Sequence, residues 1–165
     1  IKDGIEIPEV VEDGTTFEEN SKKKALEIAK FTNMVTIADD SGICVDALGG
    51  APGVYSARYS GENATDEKNN KKLIENLKGI EDRRAKFVCV ITLAKPTGET
   101  YSYYGEVCGE IIDEPRGEYG FGYDPHFYMK EYGKTTAEMK DFKNQISHRA
   151  KALAELKKNL DEILK

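Results

Sequence analysis

The sequence predicts an α/β or α+β domain in which helices flank a mixed β-sheet. Segments with the three- and four-residue spacing of helices alternate with short apolar segments that have the two-residue period of strands. This alternation favours a sheet covered by helices. Two strands in the middle of the chain are separated only by the turn-forming residues 95–98, which adds an antiparallel hairpin. No repeat or linker interrupts residues 1–165, so we expect a single domain.

The individual elements are predicted by caps, chain breakers and apolar periods. The first half is expected to contain a strand over 5–11, a helix from a Thr16–Glu19 capping box to Phe31, a buried strand over 35–38 that stops at residues 39–42, a strand over 43–47, and a helix capped by Thr65 and closed by Gly79. The second half is expected to contain a strand over 85–94, a strand from 99 to 104 that can continue to Ile112, a short strand at 127–128, and a last helix from Ser147.

The composition excludes several classes of function. The formal net charge is −6 and the pI is about 5.1, which argues against nucleic acid or an anionic membrane as the main partner. No apolar segment approaches the ~18 residues that a membrane span needs, and the first residues carry no secretory signal. The three cysteines are widely spaced and form neither a disulfide framework nor a zinc motif. We therefore expect a cytoplasmic protein.

Two adjacent carboxylates, Asp39 and Asp40, stand where an apolar strand is expected to end. Ligands gather at the carboxyl ends of strands in open α/β sheets, and carboxylates there suit Mg²⁺, a hard cation that prefers oxygen ligands. The alternative is a solvated turn, because Asp-Asp-Ser-Gly has the composition of turns, and the residues alone favour that alternative. Within a strand the two side chains would point to opposite faces, so only one could meet a given ligand.

Polar side chains on the first predicted helix form a second candidate group. Asn20 and Lys24 share one face of this helix, and Glu19 lies beside that face. Together they would suit a metal-bound phosphate. However, Glu19 is also the expected partner of Thr16 in the capping box, and the spacing alone favours this structural role.

The last third of the chain contains two further candidates. Phe121 lies between glycines and could stack on a base, or it could be a core residue at a tight bend, and both interpretations stay open. Ser147, His148 and Arg149 begin the last predicted helix. A helix N-terminus with arginine and histidine suits a ligand rich in hydrogen-bond acceptors.

Three of these segments occur together and in order. They are Thr16–Asn20, then Ile37–Gly42 running on through Gly49–Gly61, and finally Phe121–Pro125 with Ile146–Arg149. In this combination the chain closely resembles the inosine triphosphate pyrophosphatase family, from about Thr15 to Leu153. The resemblance implies hydrolysis of the non-standard purine nucleotides ITP, XTP and their deoxy forms to the monophosphate and pyrophosphate, with Mg²⁺, in a homodimer.

The resemblance also implies a role for each matching residue. Asp40 would be both a metal ligand and the base for the attacking water, with Asp39 as its neighbouring catalytic support. Glu19 would be the second metal carboxylate, and Lys24 and Ser41 would contact the phosphates. The base would stack on an aromatic ring and be read along its edge, by Phe121 with Gly122, Tyr123 and Asp124 beside it, and by Lys143, His148 and Arg149.

The chain departs from the family pattern in two places. Family members begin with a strand followed by a Thr/Ser-x-Asn-x-x-Lys phosphate loop, which residues 1–165 do not contain, so the domain is expected to be N-terminally incomplete relative to the family. This departure leaves an alternative function open, namely a nucleotide-binding or dimerising fragment with impaired catalysis. The second departure is Ser21, where alanine usually follows Glu-Asn.

Overall fold

The computed structural model describes residues 6–165, in which a five-stranded sheet carries helices on both faces. The helices are α1 (Phe17–Thr32), α2 (Asp66–Asn76), α3 (Lys143–Ile146) and α4 (His148–Ile163), and the strands are β1 (Thr36–Val45), β2 (Arg84–Ala94), β3 (Thr100–Ile111), β4 (Phe127–Met129) and β5 (Lys134–Thr135). Short 3₁₀ helices lie between them. Among these elements, no helix has both the length and the apolar character needed to cross a membrane.

The sheet confirms the predicted fold class, with one difference in strand direction. The spatial order is β1-β2-β3-β4-β5, and each neighbouring pair within residues 6–165 is antiparallel. The described sheet is therefore antiparallel rather than mixed. The expectation of parallel pairing came from the helix between the first long strands. That connection, which contains α2, returns the chain beside β1 in the opposite direction.

Local sequence begins the helices as predicted. Thr16 and Glu19 form a complete capping box, and the Thr65 and Ser147 hydroxyls each accept a hydrogen bond from the amide three residues ahead. β2 matches its predicted strand, and β3 continues without a break through Gly105 to Ile111. These caps determine where Lys24, on α1, and Arg149, on α4, lie relative to the sheet.

Two predictions about the strands are wrong in the described residues. No strand is present at residues 6–11, and Ile5, the other end of that predicted strand, lies outside the described residues. Residues 39–42 are not a turn, because β1 runs through them and every one of them pairs with β2. Pairing with a buried central strand outweighs the turn preference of these side chains. β5 and α3 were not predicted, since two and four residues are too short to show a period.

The two faces of the sheet are covered by different helices. Ala25 and Ala29 of α1 pack against Ala94 on one face, whereas Ala152 and Leu156 of α4 pack with apolar side chains of β2 on the other. Successive side chains of a strand alternate between faces. The adjacent carboxylates at positions 39 and 40 are therefore directed to opposite faces, one toward α4 and the other toward α1.

A third apolar cluster lies toward the end of β1, where α2 packs. Ile43 and Val45 of β1 are fully buried there with Leu73 of α2 and Leu77, the residue that caps the C-terminus of α2, and Phe87 of β2 belongs to the same cluster. Burial of each such side chain stabilises the fold by about 1.5–3 kcal/mol. The cluster also contains Tyr123, so α2 packs near the aromatic segment around Phe121.

Candidate active site

Asp40 is half-buried on the side of the sheet that α1 covers. Its Oδ2 accepts a hydrogen bond from Asn20 Nδ2 at 3.1 Å, and its Oδ1 accepts one from the Ser41 amide at 3.0 Å. Burial raises the pKa of Asp40, and the nearby carboxylate of Glu12 raises it further against the opposing effects of Asn20 and Lys24. Asp40 is therefore a carboxylate that another positive charge would stabilise.

Glu12 belongs to this site, although no sequence pattern pointed to it. Its Oε1 contacts the Lys24 ammonium, and its carbonyl oxygen accepts a hydrogen bond from Arg58 Nη2 at 3.1 Å. Lys24 Nζ also donates to the carbonyl oxygen of Asp39 at 2.9 Å, so the lysine joins the two acidic segments. Glu12 lies in an irregular segment before α1, where neither a period nor a cap marks a residue. An acidic residue shortly before the capping box was the only available signal.

Glu19 is engaged at the start of α1. One carboxylate oxygen, Oε2, accepts from the Thr15 amide at 2.7 Å, from the Thr15 hydroxyl at 2.9 Å and from the Thr16 amide at 3.3 Å. These bonds lower the pKa of the exposed Glu19 carboxyl. Among the described hydrogen bonds and ion pairs, those of Asp40 do not include Glu19. Its metal-binding role stays a prediction.

The oxygen ligands around Asp40 suit a cation that is bound partly by the protein and partly by the phosphates of a substrate. Residues 6–165 contain no group of three or more His, Cys, Asp or Glu side chains arranged to hold a metal ion. The Glu12 carboxylate lies close enough to raise the pKa of Asp40, and Lys24 contacts Glu12. Mg²⁺ is commonly bound by one or two carboxylates together with substrate phosphates and water. These residues fit that mode of binding, and a closed metal cage would require more ligands.

Asp39 joins β1 to the start of α4. Its Oδ2 accepts from Arg149 Nε at 3.1 Å and from Arg149 Nη2 at 2.8 Å, and the same Nη2 lies 3.3 Å from Ser41 Oγ. The Cys89 thiol lies 3.7 Å from the same carboxylate oxygen, and burial raises the pKa of this thiol to about 12. Asp39 thus orients the Arg149 guanidinium, and Cys89 stays protonated at neutral pH.

A cavity of about 200 Å³ opens on the α4 side of β1. Ser41, the residue after Asp40 on β1, lines this cavity. Phe121 also lines it, and 67% of the surface of Phe121 is exposed. Lys143 Nζ lies 4.9 Å from the centre of the Phe121 ring. Several other candidate residues line the same space: Gly122, Tyr123, Asp124, Lys143 and His148. Six of the predicted base-binding residues therefore line one cavity, where an exposed ring is available for stacking, whereas Arg149 does not line this cavity and is held by Asp39.

Asp124 organises the polar side of this cavity. The side chain is 2% exposed, and its Oδ2 accepts from the Phe121 amide at 3.0 Å and contacts the Lys143 ammonium. The Thr136 hydroxyl donates to Asp124 Oδ1 at 2.8 Å. Tyr123 is buried and donates to the carbonyl oxygen of Ser56 at 2.7 Å, so its hydroxyl is already used by the fold.

His148 is buried at the back of the cavity. Its ring stacks on Phe87 with centroids 5.1 Å apart and planes 15° apart. Burial lowers the pKa of His148 to about 4, and the positive charges of Arg149 and Lys143 act in the same direction. At neutral pH the imidazole is uncharged, so it offers one N–H donor and one nitrogen acceptor.

Comparisons with known proteins connect this arrangement to a family. A model of the Ham1 family matches residues 1–159. The chain belongs to the Ham1 family. Among curated relatives, the dITP/XTP pyrophosphatase of Desulfotalea psychrophila is 56% identical over 160 residues, which cover 96% of this chain and 72% of the relative. The dITP/XTP pyrophosphatase of Geobacter sulfurreducens is 54% identical over 163 residues, covering 97% of this chain and 82% of the relative.

Solved Ham1 structures have the same fold. The Ham1 protein of Staphylococcus aureus superposes with a TM-score of 0.88 at 48% identity, covering 96% of this chain and 82% of that one. The Ham1 protein of Coxiella burnetii gives a TM-score of 0.90 at 45% identity, covering 94% and 82%. The family membership predicted from the three sequence segments is confirmed.

Proposed function

We propose that this Ham1 chain hydrolyses the non-standard purine nucleoside triphosphates ITP, dITP and XTP to the monophosphate and pyrophosphate, with Mg²⁺ as cofactor. One observation carries the proposal. Asp40, with the Glu12 carboxylate and Lys24 nearby, directly precedes Ser41 on β1, and Ser41 lines a cavity together with the exposed Phe121 ring and the basic Lys143. The proposal is further supported by the relatives named dITP/XTP pyrophosphatase at 54–56% identity.

Asp40 and Glu12 would hold the cofactor, and the phosphates would lie against it. When bound, Mg²⁺ supplies positive charge that offsets the charge of the triphosphate. Asp40 would accept the proton of the attacking water, a role for which a carboxylate with a raised pKa is suited. Lys24 would move its ammonium from Glu12 to a phosphate oxygen. Glu12 is favoured over Glu19 as the second carboxylate because it interacts with Asp40, although Glu19 stays the prediction of the family pattern.

The purine would occupy the cavity and stack on Phe121. Hypoxanthine and xanthine carry an acceptor oxygen at position 6, where Arg149 and Lys143 can donate. Adenine presents an amino donor there, which would leave buried donors facing a donor. A site built to hydrogen-bond one group can reject the mismatched analogue by as much as ~10⁴-fold. Asp39 would act through Arg149, since it holds the guanidinium with two hydrogen bonds.

We also propose that the protein works as a homodimer, as the family resemblance implies. Sedimentation equilibrium at micromolar concentration measures this directly. A mass twice the 18.4 kDa of the chain is expected, and a monomer at every concentration would contradict it.

The reaction itself is tested by incubating the protein with ITP, and separately with ATP, in the presence of Mg²⁺. We expect pyrophosphate from ITP and a far lower rate with ATP, and chelation of Mg²⁺ should abolish both. Equal rates on the two nucleotides, or orthophosphate as the product, would contradict the proposed specificity or reaction. Tight binding of ITP without turnover would instead favour a nucleotide-binding fragment.

A further inference from the structure

Two side chains of α2 hold the backbone of Gly122 from both sides. The Gly122 amide donates to Asp66 Oδ2 at 2.7 Å, and its carbonyl oxygen accepts from Asn70 Nδ2 at 2.8 Å. Asp66 and Asn70 are four residues apart in sequence, so they lie on the same face of the helix. Gly122 has a φ of +60°, a backbone conformation that glycine adopts at low cost. The peptide next to Phe121 is therefore fixed by a helix that was not part of the predicted site.

The Phe121 amide is held as well, by a side chain three residues further along the chain. Its amide donates to Asp124 Oδ2 at 3.0 Å, so two consecutive amides are each bound by a carboxylate from a different part of the chain. The Phe121 ring itself has few apolar neighbours to hold it, since 67% of its surface is exposed. Its position consequently depends on its backbone more than on side-chain packing.

We propose that Asp66 and Asn70 are positioning residues that hold Phe121 in its stacking orientation, and so set the affinity for the purine half of the substrate. This inference rests on the proposed function, because it assigns the base to Phe121. A loop that is already ordered before the ligand binds does not lose conformational entropy in the binding step. Hydrogen bonds that involve a charged group are stronger than neutral ones, so Asp66 should contribute more than Asn70. Because Asp66 is exposed, its removal should leave the core intact.

The test compares Asp66→Ala with Asp66→Asn, whose amide oxygen can still accept from Gly122. Glu67→Ala is the matched control, since Glu67 is the other acid in the first turn of α2 and makes none of the described hydrogen bonds to Gly122. For Asp66→Ala we expect KM for ITP and Kd for IMP to rise about tenfold, which equals about 1.4 kcal/mol, with kcat within about twofold. Inhibition by pyrophosphate, which lacks a base, should be unchanged. Asp66→Asn should restore most of the affinity.

Hydrogen exchange of the segment around Gly122 separates this inference from the proposed function. Asp66→Ala should accelerate exchange there without lowering the melting temperature more than Glu67→Ala does. Unchanged KM and IMP affinity, even with faster exchange, would overturn the positioning role. A tenfold fall in kcat with unchanged IMP affinity would overturn it as well. If the wild-type protein does not hydrolyse ITP, the proposed function fails, and IMP affinity in the same variants still decides the inference.

Discussion

The two sides of β1 differ in how far their polar groups are satisfied by the protein itself. On the α4 side, Asp124 is buried and bonded to a lysine, a threonine and a backbone amide, and Asp39 is bonded twice to Arg149. On the α1 side, the Lys24 ammonium contacts Glu12 but forms no ion pair with Asp40 among the described residues, and the Glu12 charge disfavours the ionised form of Asp40. We call the α4 side of β1 the base side and the α1 side the phosphate side, after the parts of the substrate that are proposed to bind there. The base side is therefore organised before any ligand binds, whereas the phosphate side keeps excess negative charge. Such a difference is expected where one half selects a base and the other receives a cation.

Among the substitutions that test this difference, Asp40→Asn should have the largest effect on activity. The substitution removes a carboxylate that is proposed both to bind Mg²⁺ and to act as the base, so kcat for ITP should fall about 10³-fold or more. The melting temperature should stay the same or rise, because burial and the Glu12 charge already oppose the ionised form of Asp40. Enzyme assays with thermal unfolding measure both quantities. Asp161→Asn, an exposed change on α4, serves as the control; retention of most activity by Asp40→Asn would assign the base elsewhere.

The change in unfolding free energy at acidic pH tests how far the base side excludes charge from His148. The pKa of His148 is about 4 in the folded protein and about 6.5 when unfolded, so the unfolded chain binds more protons between these values. The contribution of neutral His148 is fully present above pH 6.5 and is lost as the pH falls toward 4. The loss should be about 3 kcal/mol. The charges that act on this imidazole are those of Arg149, Lys143, Asp124 and Asp39.

Urea unfolding of the wild type and of His148→Gln, each at pH 7 and pH 4.5, measures this effect. Because glutamine does not titrate, the difference between the two proteins isolates the histidine from the carboxylates that titrate in the same range. The variant should lose less stability on acidification than the wild type. Equal losses would mean that His148 is charged or solvated in the folded protein.

Arg149→Lys should weaken base selection while leaving the phosphate side intact. Lysine cannot reproduce the two hydrogen bonds that the guanidinium makes to Asp39, so its charge would not be held in one direction. We expect kcat/KM for ITP to fall about thirtyfold, equal to about 2 kcal/mol, and the preference for ITP over ATP to shrink. Inhibition by pyrophosphate should not change. The exposed Lys157→Arg on the same helix is the control, and a weaker interaction with pyrophosphate would place Arg149 on the phosphates instead.

The sequence predicted the starts of the helices better than the acidic segments of the site, for physical reasons. Capping residues act locally, so Thr16, Thr65 and Ser147 were readable from a few neighbours. Asp39 and Asp40 looked like a turn because their strand pairing with β2 lies about 50 residues away in sequence. Glu12 was missed because its relation to Asp40 depends on how an irregular segment returns to the sheet, and no period describes such a segment.

Ser21 offers the smallest change and a check on the phosphate side. Its Oγ lies 3.1 Å from the carbonyl oxygen of Ala38 and 2.8 Å from Thr92 Oγ1, in the seam where α1 packs on the sheet. Ser21→Ala should cost about 1 kcal/mol of unfolding free energy or less, because Thr92 keeps its hydrogen bond to Ser102 and alanine favours the helix. Turnover of ITP should stay within about twofold. α1 carries both Asn20 and Lys24. A tenfold loss of turnover with unchanged stability would therefore show that the contact between α1 and the sheet aligns these two side chains with Asp40. The phosphate side would then be more rigid than its excess negative charge suggests.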